Sequence, residues 1–436
     1  MKLKNIFFVF LYLSASIVCA QVQINPPFSM PDVNIVEFDG RAYAFCGTDL
    51  EPYSFDDNVW KMPYWRCFSS DDLVNWRFES LLDPADTYIG KSNLCFAGHG
   101  VVKNGKWYWY FSDYVKSTGV AVADSPSGPW KDALNTSLLP SDISPTHEYD
   151  NCVFTDDDGK SYMVFGSHVD KKICYHIVEL GDDMVSLKGK PVKIEVKDWE
   201  KSEVLPVDAP FLHKKNGLYY LSWRSPYAVS ESVYGPYRYI GEQSAYGHLG
   251  FFTFKNQDYV NYTTLKDGFR SRYRFCSLAY VHYNEDGTIA PMEELIHKNG
   301  VGQFDANWGT IEAEWFMDMS DGPLKKQMSV KNKFEIVNIS DGDYLCYPNI
   351  KHCHENPVVK IKYSCNNMKG GEIQIRAYSA NGPLLNNVSF VSTGSWQKYE
   401  ELEIPLSGVP SGKLSLCFLV KGEGEDIIHI DSFIIN

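Results

Sequence analysis

The stretch VDAPFLHKKNGLYYLSW, Val207–Trp223, decides the fold. It opens on an acid and a proline, passes through an apolar pair, turns at Lys-Lys-Asn-Gly and returns as an alternating aromatic run. Asn and Gly tolerate the positive φ of a tight turn, and aromatic residues suit a pleated surface, so the phrase reads as a β-hairpin. It recurs along the chain. VNIVEFDGRAYAFCG ends at Gly47, GHGVVKNGKWYWYFS at Ser112, NCVFTDDDGKSYMVFG at Gly166 and LGFFTFKNQDYVNYT at Thr263. The turns fall at Gly40, Gly105, Gly159, Gly217 and Gln257, at roughly the interval of one propeller blade. Strand-like runs such as YWRCFSSDDLVNW fill the spaces between, and no long segment past the first twenty residues carries helical periodicity. The pattern predicts an all-β chain that begins as a five-bladed β-propeller, each blade covering its neighbour's open face.

Counting back eight or nine residues from each turn gives Asp32, Ala97, Asp150, Asp208 and His248. The innermost strand of a blade lines the central channel, so equivalent positions at its start converge on one mouth. Three carboxylates and a histidine would meet there. A single Asp at a strand head is more often a cap than a catalyst, but three at equivalent repeat positions point to chemistry. Crowded like charges force at least one carboxyl to hold its proton. Glycoside hydrolysis needs that division: one carboxylic acid for the leaving oxygen and one carboxylate to activate water.

Composition bounds the partners. The chain has 436 residues, 44% hydrophobic and 22% charged, which suits two globular domains. Aromatics reach 15%, which sheet packing largely explains and sugar binding also fits. A net charge of -14 argues against nucleic acid and anionic membranes, and leaves neutral glycans open. Residues 1–20, MKLKNIFFVFLYLSASIVCA, read as a secretory signal cleaved before Gln21, with a lipid anchor on Cys19 as the weaker alternative. No other segment is long and apolar enough to span a membrane. The expected product is an exported, periplasmic or extracellular monomer. Its cysteines show no CxxC pair, and most, including Cys46, Cys152, Cys276 and Cys417, read as small buried apolar residues.

With these phrases aligned, the chain resembles glycoside hydrolase family 43 from Asn25 to about Asn307. DVNIVEFDG, YWRCFSSDDLVNW, TGVAVADSPSGPWKDAL, DNCVFTDDDGKSYMVFG and RYRFCSLAYVHYNEDGTI carry the resemblance. It implies a five-bladed propeller that hydrolyses glycosides with inversion and uses no organic cofactor. Asp32 takes the place of the general base, Asp150 of the residue that raises and orients the acid, and Asp208 of the general acid. His248 resembles an axial histidine near which members bind calcium or water, and Arg274 an arginine that contacts substrate. The family's usual acid is Glu, whereas this chain reads Asp208-Ala209-Pro210. One missing methylene sets the carboxyl back by roughly 1–1.5 Å, and misplacement of that order can cost about 100-fold in rate. Glu203, five residues upstream, is an alternative outside the motif. Val33 stands where Pro is common, and FAGHG replaces a Trp-Ala-Pro phrase, leaving Phe96 as the nearest aromatic sugar contact.

The texture changes near Asp305–Gly309, which divides a propeller domain at 21–308 from a second domain at 309–436. Short alternating strands such as KFEIVNI, VVKIKYSC and KLSLCFLV predict a β-sandwich. IEAE, DGDYLCY, KGGEIQIRAY, TGSWQKY and IHIDSF resemble a family 6 carbohydrate-binding module of jelly-roll form. That resemblance implies a structural calcium held by Glu312, Glu314 and Asp431, whose oxygens suit the ion. It also implies a sugar contact at Trp396, although Asn338 and His429 stand where partners of that cleft are expected. The whole reads as a secreted inverting glycosidase on plant pentose polysaccharides, an α-L-arabinofuranosidase or a β-xylosidase. An endo-arabinanase or galactanase and a carbohydrate binder without activity are the rivals.

Overall fold

A computed structural model describes residues 29–50, 60–114, 117–166, 175–206, 208–269, 273–291 and 301–436. The proposed signal, residues 1–20, lies outside the described residues. Within them every regular element is a strand or a short 3-10 turn.

Five sheets form the first unit, each begun by an inner strand: Asn34–Phe38, Cys95–Lys103, Cys152–Thr155, Pro210–Lys215 and Gly250–Phe254. Each inner strand touches the next, and the fifth returns to the first, so the ring is closed. The opening hairpin pairs Pro210 with Trp223 through to Lys215 with Leu218. Asn216 and Gly217 both have left-handed φ, 50° and 79°, as a two-residue primed turn requires. The fifth hairpin corrects the sequence alignment. Phe254 pairs with Gln257, and the left-handed pair is Lys255-Asn256. Asn256, not Gln257, therefore stands where the other blades place glycine. Tight packing between blades explains another glycine: a Cβ at Gly100 would lie 2.1 Å from the Phe45 ring. The fifth blade contributes three described strands, and the segment just before the first inner strand joins it where the Met30 amide donates to the Arg274 carbonyl at 3.0 Å.

The second unit is a sandwich of two sheets. One carries Leu324–Gln327, Phe334–Ile339, Ile428–Ile435, Val358–Cys365 and Ser395–Pro405; the other carries Asp318–Met319, Tyr344–Cys353, Gly412–Gly422, Gly371–Ala377 and Leu384–Phe390. Their inner faces share an apolar core that includes Ile336, Ile361, Ile373, Phe418 and Phe433. Cys417 is not a free apolar residue: it is disulfide-bonded to Cys346 at the facing position of the neighbouring strand. Cys46, Cys152 and Cys276 are free and buried, as expected.

Gln257 joins the two units. It is fully buried, and its amide donates to the carbonyls of Glu314 (2.7 Å) and Phe316 (3.1 Å). The Lys325 ammonium reaches back to donate to Gln257 Oε1 (2.9 Å) and the Val281 carbonyl (3.0 Å). Apolar residues of both units, among them Phe254, Tyr259, Phe316 and Met317, belong to one continuous core.

Candidate active site

Asp32, Asp150 and Asp208 each stand two residues before an inner strand. Asp32 and Asp150 share a left-handed φ of 54°. A non-glycine residue there is uncommon, and such outliers gather at functional sites. In the fourth blade the left-handed residue is instead Ala209, φ 52°. Its amide donates to Asp150 Oδ2 at 3.1 Å, which ties the third and fourth blades together between the two acids.

Asp32 is buried beneath a cation. Arg274 Nη1 donates to its Oδ1 at 2.6 Å, and His248 Nδ1 lies 3.4 Å from the same oxygen. Burial alone would raise this carboxyl, but Arg274 and then His248 outweigh it and bring it down to about 2. Asp150 is pulled the other way. Burial first, then the charges of Asp208 and Asp32, push it up to about 7 against the opposing His248 and the Ala209 amide. His248 is itself raised: burial opposes its charge, but the Asp32 contact and the three surrounding carboxylates outweigh burial. His99, deeper in the channel, is held neutral, down to about 3, by burial and by the charge of His248. Asn34 fixes it, donating through Nδ2 to His99 Nε2 at 3.2 Å while Oδ1 accepts from the Gly100 amide at 2.8 Å. Below the acids the channel opens into a cavity of about 330 Å³ lined by inner-strand residues such as Phe211, His213 and Phe251.

Asp208 has a partner that no motif announces. Arg224 Nε and Nη2 donate to its two carboxylate oxygens, both at 2.9 Å. Arg224 sits just past the strand Leu218–Trp223, itself with φ 53°. Glu203, the alternative acid, is exposed.

Arg274 is committed to acids. Besides Asp32 it donates from Nη2 to Asp49 Oδ1 at 2.8 Å and from Nε and its backbone amide to Oδ2, and the Trp60 ring covers it at 4.0 Å. Its guanidinium is engaged by Asp32 and Asp49 and offers no free edge like the one expected for substrate. Asp49 was invisible to the repeat because it lies three residues beyond the hairpin strand Arg41–Cys46. Phe96 is at the mouth and packs on Tyr114 and Tyr149, each at 5.5 Å between ring centroids.

Trp396 belongs to the sandwich, where it stacks on His429 at 3.9 Å and 10°. An imidazole therefore covers one face of the indole. The residues expected to hold calcium lie on adjoining elements. Ile311–Glu312 pairs with the strand that carries Asp431, and Glu314 lies in the turn that follows. Glu314 Oε2 is buried and lacks a hydrogen-bond partner; burial, then the charge of Glu312 and that of Asp431, push its carboxyl up to about 8. Lys362 pairs with Asp431 at 2.9 Å, and Lys333 approaches Glu312 at 3.7 Å. An orphaned buried carboxyl oxygen between two further acids fits a hard cation. No cage of three or more His, Cys, Asp or Glu side chains is preassembled among the described residues.

The family described as glycosyl hydrolases family 43 matches residues 26–289, and carbohydrate binding module (family 6) matches residues 312–436. A protein named arabinoxylan arabinofuranohydrolase from Paenibacillus polymyxa is 25% identical, covering 91% of this chain and 71% of its own. Its namesake from Bacillus subtilis is 26% identical, covering 89% and 86%. Among solved structures, a β-xylosidase/α-arabinofuranosidase from a compost microbial metagenome, complexed with xylotriose, is 25% identical with a TM-score of 0.54 and covers 62% of this chain and 97% of its own.

Proposed function

Because the chain belongs to glycosyl hydrolases family 43, we propose that it removes single pentosyl units from plant cell-wall polysaccharides, α-L-arabinofuranosyl ahead of β-xylosyl, with inversion. The opposite poise of Asp32 and Asp150 carries this reading. One buried carboxyl is held ionised and its neighbour holds a proton near neutral pH, which is how acid and base roles are divided between carboxylates. Asp32 takes a proton from water as the water oxygen bonds to the anomeric carbon. The glycosidic C–O bond breaks on the opposite face, and the leaving oxygen receives a proton from Asp208. Asp150, which holds a proton near neutral pH, replenishes Asp208 once the leaving oxygen has taken its proton. Inverting enzymes hold acid and base roughly 6.5–9.5 Å apart so that water fits between. The relatives named for arabinoxylan favour arabinose as the sugar released.

Chromatography of free sugars after incubation with arabinoxylan, arabinan and xylan tests the reading. Free arabinose, with or without xylose, is the expected result. Oligosaccharides would assign an endo-acting enzyme, and no release from any of the three would overturn the reading. A mature amino terminus at Gln21, seen by intact mass, would support export, and light scattering checks the expected monomer.

Calcium belongs in the same proposal. Glu312, Glu314 and Asp431 would hold it in the sandwich, where it would neutralise the buried Glu314 carboxylate and pin the module's first and last strands. His248 would face a cation or a water in the propeller channel. Calcium should raise the melting temperature of the chelated protein, and Glu314→Gln should abolish that response. An unchanged response in Glu314→Gln would remove this site from the proposal.

A further inference from the structure

At one side of the mouth lies a group of rings that bond cleavage itself does not use. Tyr114 follows the strand Lys106–Asp113, and His147 and Tyr149 occupy the segment that leads into Asp150. His147 stacks on Tyr149 at 5.5 Å and 19°; Tyr114 lies 5.6 Å from Tyr149 and 6.0 Å from His147. Phe96 closes the set. These separations are those of packed aromatic rings.

Burial separates this group from a core. Tyr149 is 7% exposed at its base, whereas Tyr114 is 48% exposed and His147 is also exposed. Exposure falls from Tyr114 and His147 to Tyr149, the residue that precedes Asp150. The chain's net charge of -14 disfavours acidic polymers at such a surface.

We propose that Phe96, Tyr114, His147 and Tyr149 form a binding shelf for the main chain of the glycan: two or more neutral, β-linked pyranose units on the leaving-group side of the bond. The inference rests on the function proposed above and adds the part of the substrate that stays on the polymer. A pyranose presents C–H faces and a rim of hydroxyls. Aromatic faces cover the first, and the edges of Tyr and His supply polar atoms for the second. The shelf is continuous with the reacting centre, because Tyr149 precedes Asp150 in the chain and Phe96 packs on Tyr149.

The test compares arabinoxylan with an aryl α-L-arabinofuranoside, which carries one ring beyond the scissile bond. In Tyr114→Ala, and in the Tyr114→Ala/His147→Ala double variant, the ratio of kcat/KM for polymer over aryl glycoside should fall about 3- to 10-fold. Tyr114→Phe should restore most of it, because the ring face remains. Equal losses on both substrates, or an unchanged ratio, would overturn the shelf. Titration of xylohexaose into the wild type and Tyr114→Ala, followed by calorimetry, separates this proposal from the one it rests on. If the wild type releases no pentose yet binds xylohexaose, and Tyr114→Ala weakens that binding, the shelf stands while the assigned reaction fails. Equal binding by both proteins overturns the shelf.

Discussion

Asp32→Asn should lower pentose release by about 10²- to 10⁴-fold, the usual worth of a general base, with little change in melting temperature. Asn keeps the shape of Asp but cannot take a proton from water. The buried surroundings tolerate the exchange because Arg274 retains Asp49, which accepts from its Nη2, its Nε and its backbone amide. Arg274 therefore stays charged and placed. Two neighbours should respond. His248 loses the carboxylate that most favours its charged form, so its raised pKa should drop. Asp150 loses one of the two like charges that raise it, so its pKa should fall from about 7. Initial rates on an aryl arabinofuranoside, with a melting curve beside them, decide the matter. A loss smaller than tenfold with the fold intact would take the base role away from Asp32.

Arg224→Met should lower pentose release by about 100-fold, the cost of a reacting group displaced by an ångström. The guanidinium grips both oxygens of the Asp208 carboxyl at 2.9 Å and fixes where that group stands. Arg224→Lys loses the fork that meets both oxygens and should recover only part of the rate. Asp150 adds a pH signature. It is raised to about 7, so in the wild type activity should be lost as pH rises through that value and the carboxyl gives up its proton. Both side chains of the Arg224–Asp208 pair are partly exposed, 33% for Arg224 and 25% for Asp208, so the stability change should be small. A loss smaller than threefold in Arg224→Met would show that the arginine does not place Asp208.

The fold was readable because the chain repeats itself. Five hairpins with turn chemistry at comparable spacing leave few architectures, and equal offsets from those turns brought Asp32, Asp150 and Asp208 to strand heads. What the repeat could not show is whatever reaches across it. Arg224 finds Asp208 from 16 residues away and Arg274 finds Asp49 from 225, through side-chain reach that no local pattern encodes. The Tyr114, His147 and Tyr149 rings converge from two blades, and each alone looks like ordinary sheet packing. Cys346 and Cys417 are 71 residues apart in alternating strands indistinguishable from those that carry unpaired cysteines. The misplaced fifth turn has a similar cause. Asn-Gln resembled a worn Asn-Gly, but the positive φ that marks a primed turn falls on Lys255 and Asn256, which leaves Gln257 free for another task.

That task bears on how the chain can be divided. A glycan-binding module on a loose tether can be cut away or exchanged, and it searches a volume set by its linker. Here a buried glutamine, a lysine reaching back across the seam and a shared apolar core weld the module to blade five. A propeller cut at residue 308 would bare Phe254 and Tyr259 and leave the Gln257 amide without its acceptors, so it should aggregate rather than work alone. Grafting a foreign module in its place would need the seam rebuilt as well as the sequence joined, and whatever the sandwich grips would be presented to the mouth at one fixed angle.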